Sequence, residues 1–111
     1  MKINVEKKGQ HIFLILEGSL DIYTALDFKT ALEEHVKTDS PDVIINMSKL
    51  TYIDSSGTGI LIKALIYIQD LNGQLSIANL NPAIEKIFKV SGLTSHFDIL
   101  NQEEFNRVYK T

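Results

Sequence analysis

PDVIINMSKLTYIDSSGTGILIKALIYIQDLNGQLSIA, running from Pro41 to Ala78, decides the fold. Pro41 cannot continue a helix, and Val43-Ile44-Ile45 behind it is an unbroken apolar run typical of strands covered on both faces. Ser48 to Asp54 reads as a loop. From about Ser56 to Leu71 a helix is expected, with Leu61, Ala64, Leu65, Ile68 and Leu71 forming its core-facing stripe and Asn72-Gly73 its stop. Gln74 to Ala78 is a further buried strand. A strand, a helix and a strand in this order join as parallel neighbours through a crossover.

Working outward, the same alternation continues. Ile3, Val5 and Lys7 begin a short strand, Gly9-Gln10 makes a hairpin turn, and Ile12 to Leu16 is a buried strand ended by Gly18. Thr24, with Asp27 three residues on, resembles a capping box opening a helix to about Val36 with Ala25, Phe28, Leu32 and Val36 facing inward. On the other side, Asn81-Pro82 caps a helix carrying Ile84, Ile87 and Phe88, which Gly92 closes. Phe97 to Leu100 is a last strand, and Asn101 with Glu104 caps a final helix bearing Phe105 and Val108. The expected architecture is α/β: one domain over residues 1–111, a mixed and mostly parallel sheet with an opening hairpin, and about four helices packed against it.

Composition narrows the function. With 44% apolar and 23% charged residues, the chain has the profile of a globular domain. Eleven Lys and Arg stand against 14 Asp and Glu, for a net charge of −3, and no basic run exceeds Lys7-Lys8, which argues against nucleic-acid binding. No cysteine is present, so disulfides, thiolate metal sites and Cys nucleophiles are excluded, and packing alone must hold the domain. That suits a reducing cytoplasm, the expected location. The greasiest stretch, Ile60 to Ile68, is broken by Lys63 and too short to span a bilayer, so no membrane insertion is expected. His11, His35 and His96 lack ligand spacing, which argues against a metal or metal cofactor. Glu33-Glu34 and Glu103-Glu104 are adjacent pairs pointing about 100° apart on their helices, and they read as solvated faces. Gly57-Thr58-Gly59 lacks the third glycine of a dinucleotide loop, and no G-x-S-x-G elbow occurs. Hydrolysis at Ser55 would need His96 as its base with nothing to orient it, so the chain is not expected to be an enzyme.

Tyr52 to Gly59 stands apart as a polar, small-residue cluster at the head of an apolar helix. One reading is an ordinary N-cap, for which a single Ser or Asp suffices. The other is a functional helix terminus: Asp54, Ser55 and Ser56 exceed the capping need, and two glycines leave room for another molecule to approach. Down the same helix, Ile62 and Ile66 sit off the core stripe, beside Lys63 and Asp70. Either a neighbouring helix covers them or they form a docking patch running down from Ser55.

Three segments carry a resemblance to a known family. The D-S-S-G-x-G motif at Asp54 to Gly59 resembles the phosphorylation motif of bacterial anti-anti-sigma factors, the stand-alone STAS domains. Gly18-Ser19-Leu20-Asp21-Ile22-Tyr23-Thr24-Ala25 resembles that family's turn after the second strand, and Asn81 through Phe88 followed by Ser91-Gly92-Leu93 resembles its late helix. The resemblance implies an anti-sigma factor antagonist that binds an anti-sigma factor serine kinase in a partner switch. Phosphorylation by that kinase releases the complex, and a PP2C-type serine phosphatase resets it.

Carried over by residue, the resemblance makes Ser55 the phosphoacceptor, with Asp54 and Ser56 beside it and Asp21 as the nearby loop aspartate that contributes to partner binding. Ile22, Tyr23, Gly57, Thr58 and Gly59 fall in the same motifs and share the implied partner surface, with Ile62 and Ile66 as its extension. Thr58 departs from the aliphatic residue that many members carry, which implies either a dedicated kinase or a second acceptor. The alternative function is a STAS scaffold subunit of a transport or signalling complex with no sigma-factor client.

Overall fold

Gly9, at φ 58°, turns the first strand, β1 (Lys2–Lys8), back onto β2 (His11–Leu20), and the two pair antiparallel from Lys2↔Glu17 to Lys8↔His11. In the computed structural model, which describes residues 1–110, the chain continues through α1 (Ala25–His35), β3 (Asp42–Ile53), α2 (Ser55–Asp70) and β4 (Gln74–Ala78). It ends with α3 (Pro82–Val90), a 3-10 turn at Leu93–Ser95, β5 (Asp98–Leu100) and α4 (Gln102–Tyr109). The sheet order is β1-β2-β3-β4-β5, with every pair after the hairpin parallel. The α/β class, the mixed sheet and the four helices are those expected from the sequence.

Alternation along the strands explains the unbroken apolar runs. Leu14, Leu16, Val43, Ile45 and Ile77 point to one face, where Phe28 and Leu32 of α1, Leu61, Ala64 and Ile68 of α2, and Ile84 and Phe88 of α3 bury them. Phe13, Ile44 and Ala78 point to the other, where Phe105 of α4 covers them. The central strands are therefore apolar on both sides. Helix α4 is pinned further by Tyr109, whose hydroxyl donates to Glu6 at 2.6 Å and whose ring lies 3.6 Å beneath the Lys8 ammonium. No helix among the described residues is long and apolar enough to cross a membrane.

Several boundaries differ from the sequence reading, each for a physical reason. The expected loop from Ser48 to Asp54 is the second half of β3, and β2 runs past Gly18 to Leu20 alongside it. Leu50 and Ile53 are buried there while Ser48, Lys49, Thr51 and Tyr52 face solvent, so the strand is polar enough to pass for a loop. Two register shifts between β2 and β3 break strict alternation, and Gly18 at φ 107° adopts a conformation that side chains resist. The Thr24–Asp27 capping box does not form: Thr24 makes no side-chain cap, and its hydroxyl donates to the Ser19 carbonyl at 2.8 Å instead. The last strand begins one residue late, because Phe97 leaves the sheet to pack near Phe88, 6.3 Å between ring centroids. The other caps are as expected, including Asn81 on Ile84 and the full Asn101–Glu104 box.

Candidate functional site at the start of α2

The carboxyl end of β3 delivers Asp54 to the junction of two segments. Its Oδ1 accepts from the Gly57 amide at 2.9 Å, capping α2, and its Oδ2 accepts from the Ile22 amide at 3.3 Å, in the turn between β2 and α1. The Asp54 amide donates to the Leu20 carbonyl at 3.3 Å, which ties the helix start to the end of β2. Gly57 makes that approach possible. A Cβ on it would stand 2.2 Å from the Leu20 oxygen and 2.7 Å from Ile53 Cγ1.

This corrects the sequence reading of Gly57 as space for another molecule: the residue is buried, and what approaches it is its own chain at the end of β2. Gly59 differs. It is exposed, and a Cβ there would meet nothing within 4 Å.

Ser55 occupies the first position of α2 and is exposed, and among the described residues its hydroxyl has no hydrogen-bond partner. Its amide and that of Ser56 lie in the first turn, where no intrahelical acceptor exists. Ser56 is half-buried. Thr58 is half-buried too, and its hydroxyl donates to the Ser55 carbonyl at 2.9 Å. A negatively charged group carried by Ser55 would meet free N–H groups and the positive end of a 16-residue helix dipole.

The β2–α1 turn forms the adjoining wall. Asp21 Oδ1 accepts from the Tyr23 amide at 2.9 Å and the Thr24 amide at 3.2 Å, while the Asp21 amide donates to the Thr24 hydroxyl at 2.9 Å. Asp21 therefore shapes its own turn. The turn and the first residues of α1 present apolar side chains to solvent: Ile22 is 66% exposed, Tyr23 88% and Leu26 70%. The sequence reading misses Leu26, although its place off the Phe28–Leu32–Val36 stripe of α1 is an available signal. Tyr52, the first residue of the Tyr52–Gly59 cluster singled out in the sequence, is also exposed, near the end of β3.

The expected patch on α2 divides. Ile62 is half-buried and packs against the main core, whereas Ile66 is 52% exposed. A shallow depression of about 240 Å³ joins Ser55, Thr58, Gly59 and Ile62 to Ser91, Leu93 and His96 beyond α3. His96 shares that depression, yet no hydrogen bond connects it to Ser55 among the described residues, so the serine has no base held against it. Among the described residues no cluster of His, Cys, Asp or Glu could hold a metal ion.

Known proteins are similar to this chain in sequence and fold. The STAS domain family matches residues 2–108. An anti-sigma-B factor antagonist of Listeria monocytogenes is 28% identical over 106 residues, covering 93% of each chain. Two solved structures of the anti-sigma factor antagonist SpoIIAA share the fold. The unphosphorylated form gives a TM-score of 0.67 at 20% identity, over 99% of this chain and 100% of the other. The phosphorylated Bacillus form gives 0.63 at 25% identity, over 96% and 99%.

Proposed function

The chain belongs to the STAS domain family, and from that premise we propose that it is a non-enzymatic anti-sigma factor antagonist, switched by phosphorylation of Ser55. Unmodified, it binds an anti-sigma factor serine kinase in the cytoplasm and frees the sigma factor. Phosphorylated by that kinase, it lets go, and a PP2C-type serine phosphatase returns it to the binding form. The observation that carries this reading is the exposed, unbonded Ser55 hydroxyl at the head of α2, set beside the apolar side chains of Ile22, Tyr23 and Leu26. An accessible nucleophilic hydroxyl is what a kinase needs. Exposed apolar side chains next to it are what a protein partner covers.

The physics of the modification fits a switch. Phosphoserine adds about −1.5 to −2 charge and three acceptor oxygens at neutral pH. Alone, the domain tolerates that charge at a helix N-terminus. A partner packed over Ser55 has to desolvate it, at a cost of several kcal/mol unless a cation receives it. The likeness to both forms of SpoIIAA supports a phosphorylated domain that keeps its fold. Asp21 and Asp54 contribute by shaping the surface, and Thr58 and Gly59 by flanking the acceptor.

The test is incubation with ATP and the anti-sigma serine kinases of the source organism, followed by mapping of the modified residue. Ser55→Ala should lose phosphate incorporation and still capture the kinase, with or without ATP. Incorporation at Ser56 or Thr58 at the native rate would refute the assignment.

A further inference from the structure

We propose that the Asp54 carboxylate is a joint between the acceptor helix and the apolar segment from Ile22 to Leu26, the turn and the start of α1, so that phosphate on Ser55 alters the partner surface through Asp54 as well as by its own charge. The inference rests on Ser55 being the acceptor. Its geometric basis is that the two carboxylate oxygens serve donors from different elements: Gly57, inside α2, and Ile22, 32 residues before Asp54 in the chain.

The two bonds are unequal. The bond to Gly57 is 2.9 Å long, partly buried and backed by the helix dipole, whereas the bond to Ile22 is 3.3 Å long and exposed. When a carboxylate must yield, the second bond gives way first. A phosphate on the adjacent residue supplies the cause. It repels the Asp54 carboxylate and brings three acceptor oxygens to a helix end whose first N–H groups are free. Keeping the cap and surrendering Ile22 is the cheaper adjustment.

The turn on the far side of the joint holds its own shape and is tethered to β2 through the bond from the Thr24 hydroxyl to the Ser19 carbonyl. Asp21 and Thr24 bind one another and the Tyr23 amide, so the turn holds its shape internally. Among the hydrogen bonds of the turn, the one from Ile22 is what reaches the acceptor helix. Releasing it loosens the turn that carries Ile22 and Tyr23 and leads into Leu26 of α1, each about two-thirds exposed or more. Asp54 is thus a positioning residue in this scheme, holding the apolar surface in register with Ser55.

The experiment uses the full chain, labelled with ¹⁵N, with phosphoserine installed at position 55 during translation so that no kinase is required. Amide spectra of the modified and unmodified protein are compared in the native background and in Asp54→Ser. The serine hydroxyl still caps Gly57 but is too short to reach Ile22, so α2 stays capped. Asp54→Asn, with one acceptor oxygen in place of two, is the second variant should Asp54→Ser fold poorly. Phosphoserine should shift the resonances of Ile22 to Leu26 in the native background. In the variants those resonances should already be displaced, and phosphoserine should add no further shift to them. Equal shifts in native and variant backgrounds, or no shift of the turn in the native one, would overturn the joint. If the joint is found but no kinase modifies Ser55, the proposed switch fails while the coupling stands.

Discussion

Replacing Gly57 by alanine sets two known effects against each other, and the structure says which wins. On helix propensity alone the change stabilises α2 by about 1 kcal/mol. Against this, the new methyl would lie 2.2 Å from the Leu20 carbonyl oxygen, 2.9 Å from its carbon and 2.7 Å from Ile53 Cγ1. An ordinary contact is at least 3.4 Å, so the start of α2 must move out by about 1 Å. Overpacking of this kind costs about 1–3 kcal/mol. The same displacement stretches the Asp54–Leu20 and Ile22–Asp54 bonds, both already at 3.3 Å and each worth about 0.5–1.5 kcal/mol. Stretching forfeits only part of the two bonds, so the expected net loss is about 1–3 kcal/mol. For a 111-residue domain the unfolding entropy makes 1 kcal/mol worth about 4 °C, so Tm should fall by about 4–12 °C. Gly59→Ala is the internal control: its methyl meets nothing within 4 Å, so the propensity gain survives and Tm should rise by about 3–4 °C. Thermal and urea denaturation of the two variants provide the assay. A Gly57→Ala protein that melts at or above the native temperature would refute the reasoning.

Phosphorylation of Ser55 should leave Tm within a few degrees, since a helix-dipole gain of about 0.3–1 kcal/mol is offset by repulsion from Asp54 of about 1 kcal/mol in a wet site; calorimetry showing a steep fall would point to refolding. Ile66→Lys should change stability by less than about 0.5 kcal/mol, while Ile62→Lys, displacing a side chain packed on the core, should lower Tm by several degrees. If Ile66 belongs to the partner surface, Ile66→Lys weakens kinase capture in a pull-down; unchanged capture removes it from that surface. The Tyr109 hydroxyl is held above its ordinary pKa of 10.0, first by its hydrogen bond to Glu6, then by burial and by the Glu6 charge. A raised folded pKa means that the stabilisation is complete below pH 10.0 and lost as pH climbs through the folded value. Urea midpoints of native and Tyr109→Phe protein should therefore differ near neutrality and converge in strong alkali, and a constant difference would contradict this.

Local chemistry made most elements legible. Gly9, Asn72-Gly73, Asn81-Pro82 and the Asn101–Glu104 box are turn and cap signals whose partners lie within a few residues, and they mark real boundaries. The failures share one feature: a partner that the local pattern did not name overrode its signal. Thr24 had a plausible cap partner in Asp27 but binds Ser19 and Asp21, because the turn after β2 closes on itself. Residues 48–53 look like a loop by polarity, yet the extension of β2 gives them a strand to pair with. The motif places the candidate site at the head of α2, but it does not separate the residues that face outward from Gly57, which packs inward. Leu26 carries no motif that marks it, since exposure is a property of what fails to pack on it.

By itself, then, the sequence determined the α/β alternation, the helix ends and the position of the Asp54-Ser55-Ser56 cluster at the head of α2. These follow from apolar periodicity and from hydrogen bonds between near neighbours, which any folded form of the chain must satisfy. Only the tertiary structure decided that Gly57 serves the approach of α2 to Leu20, that Ile62 belongs partly to the core, and that Asp54 reaches across to Ile22. Those contacts depend on the β2–β3 register and its shifts, which place residues 32 positions apart within one hydrogen bond. Register is set by which side chains the whole sheet can bury together, and no local window of residues contains that information.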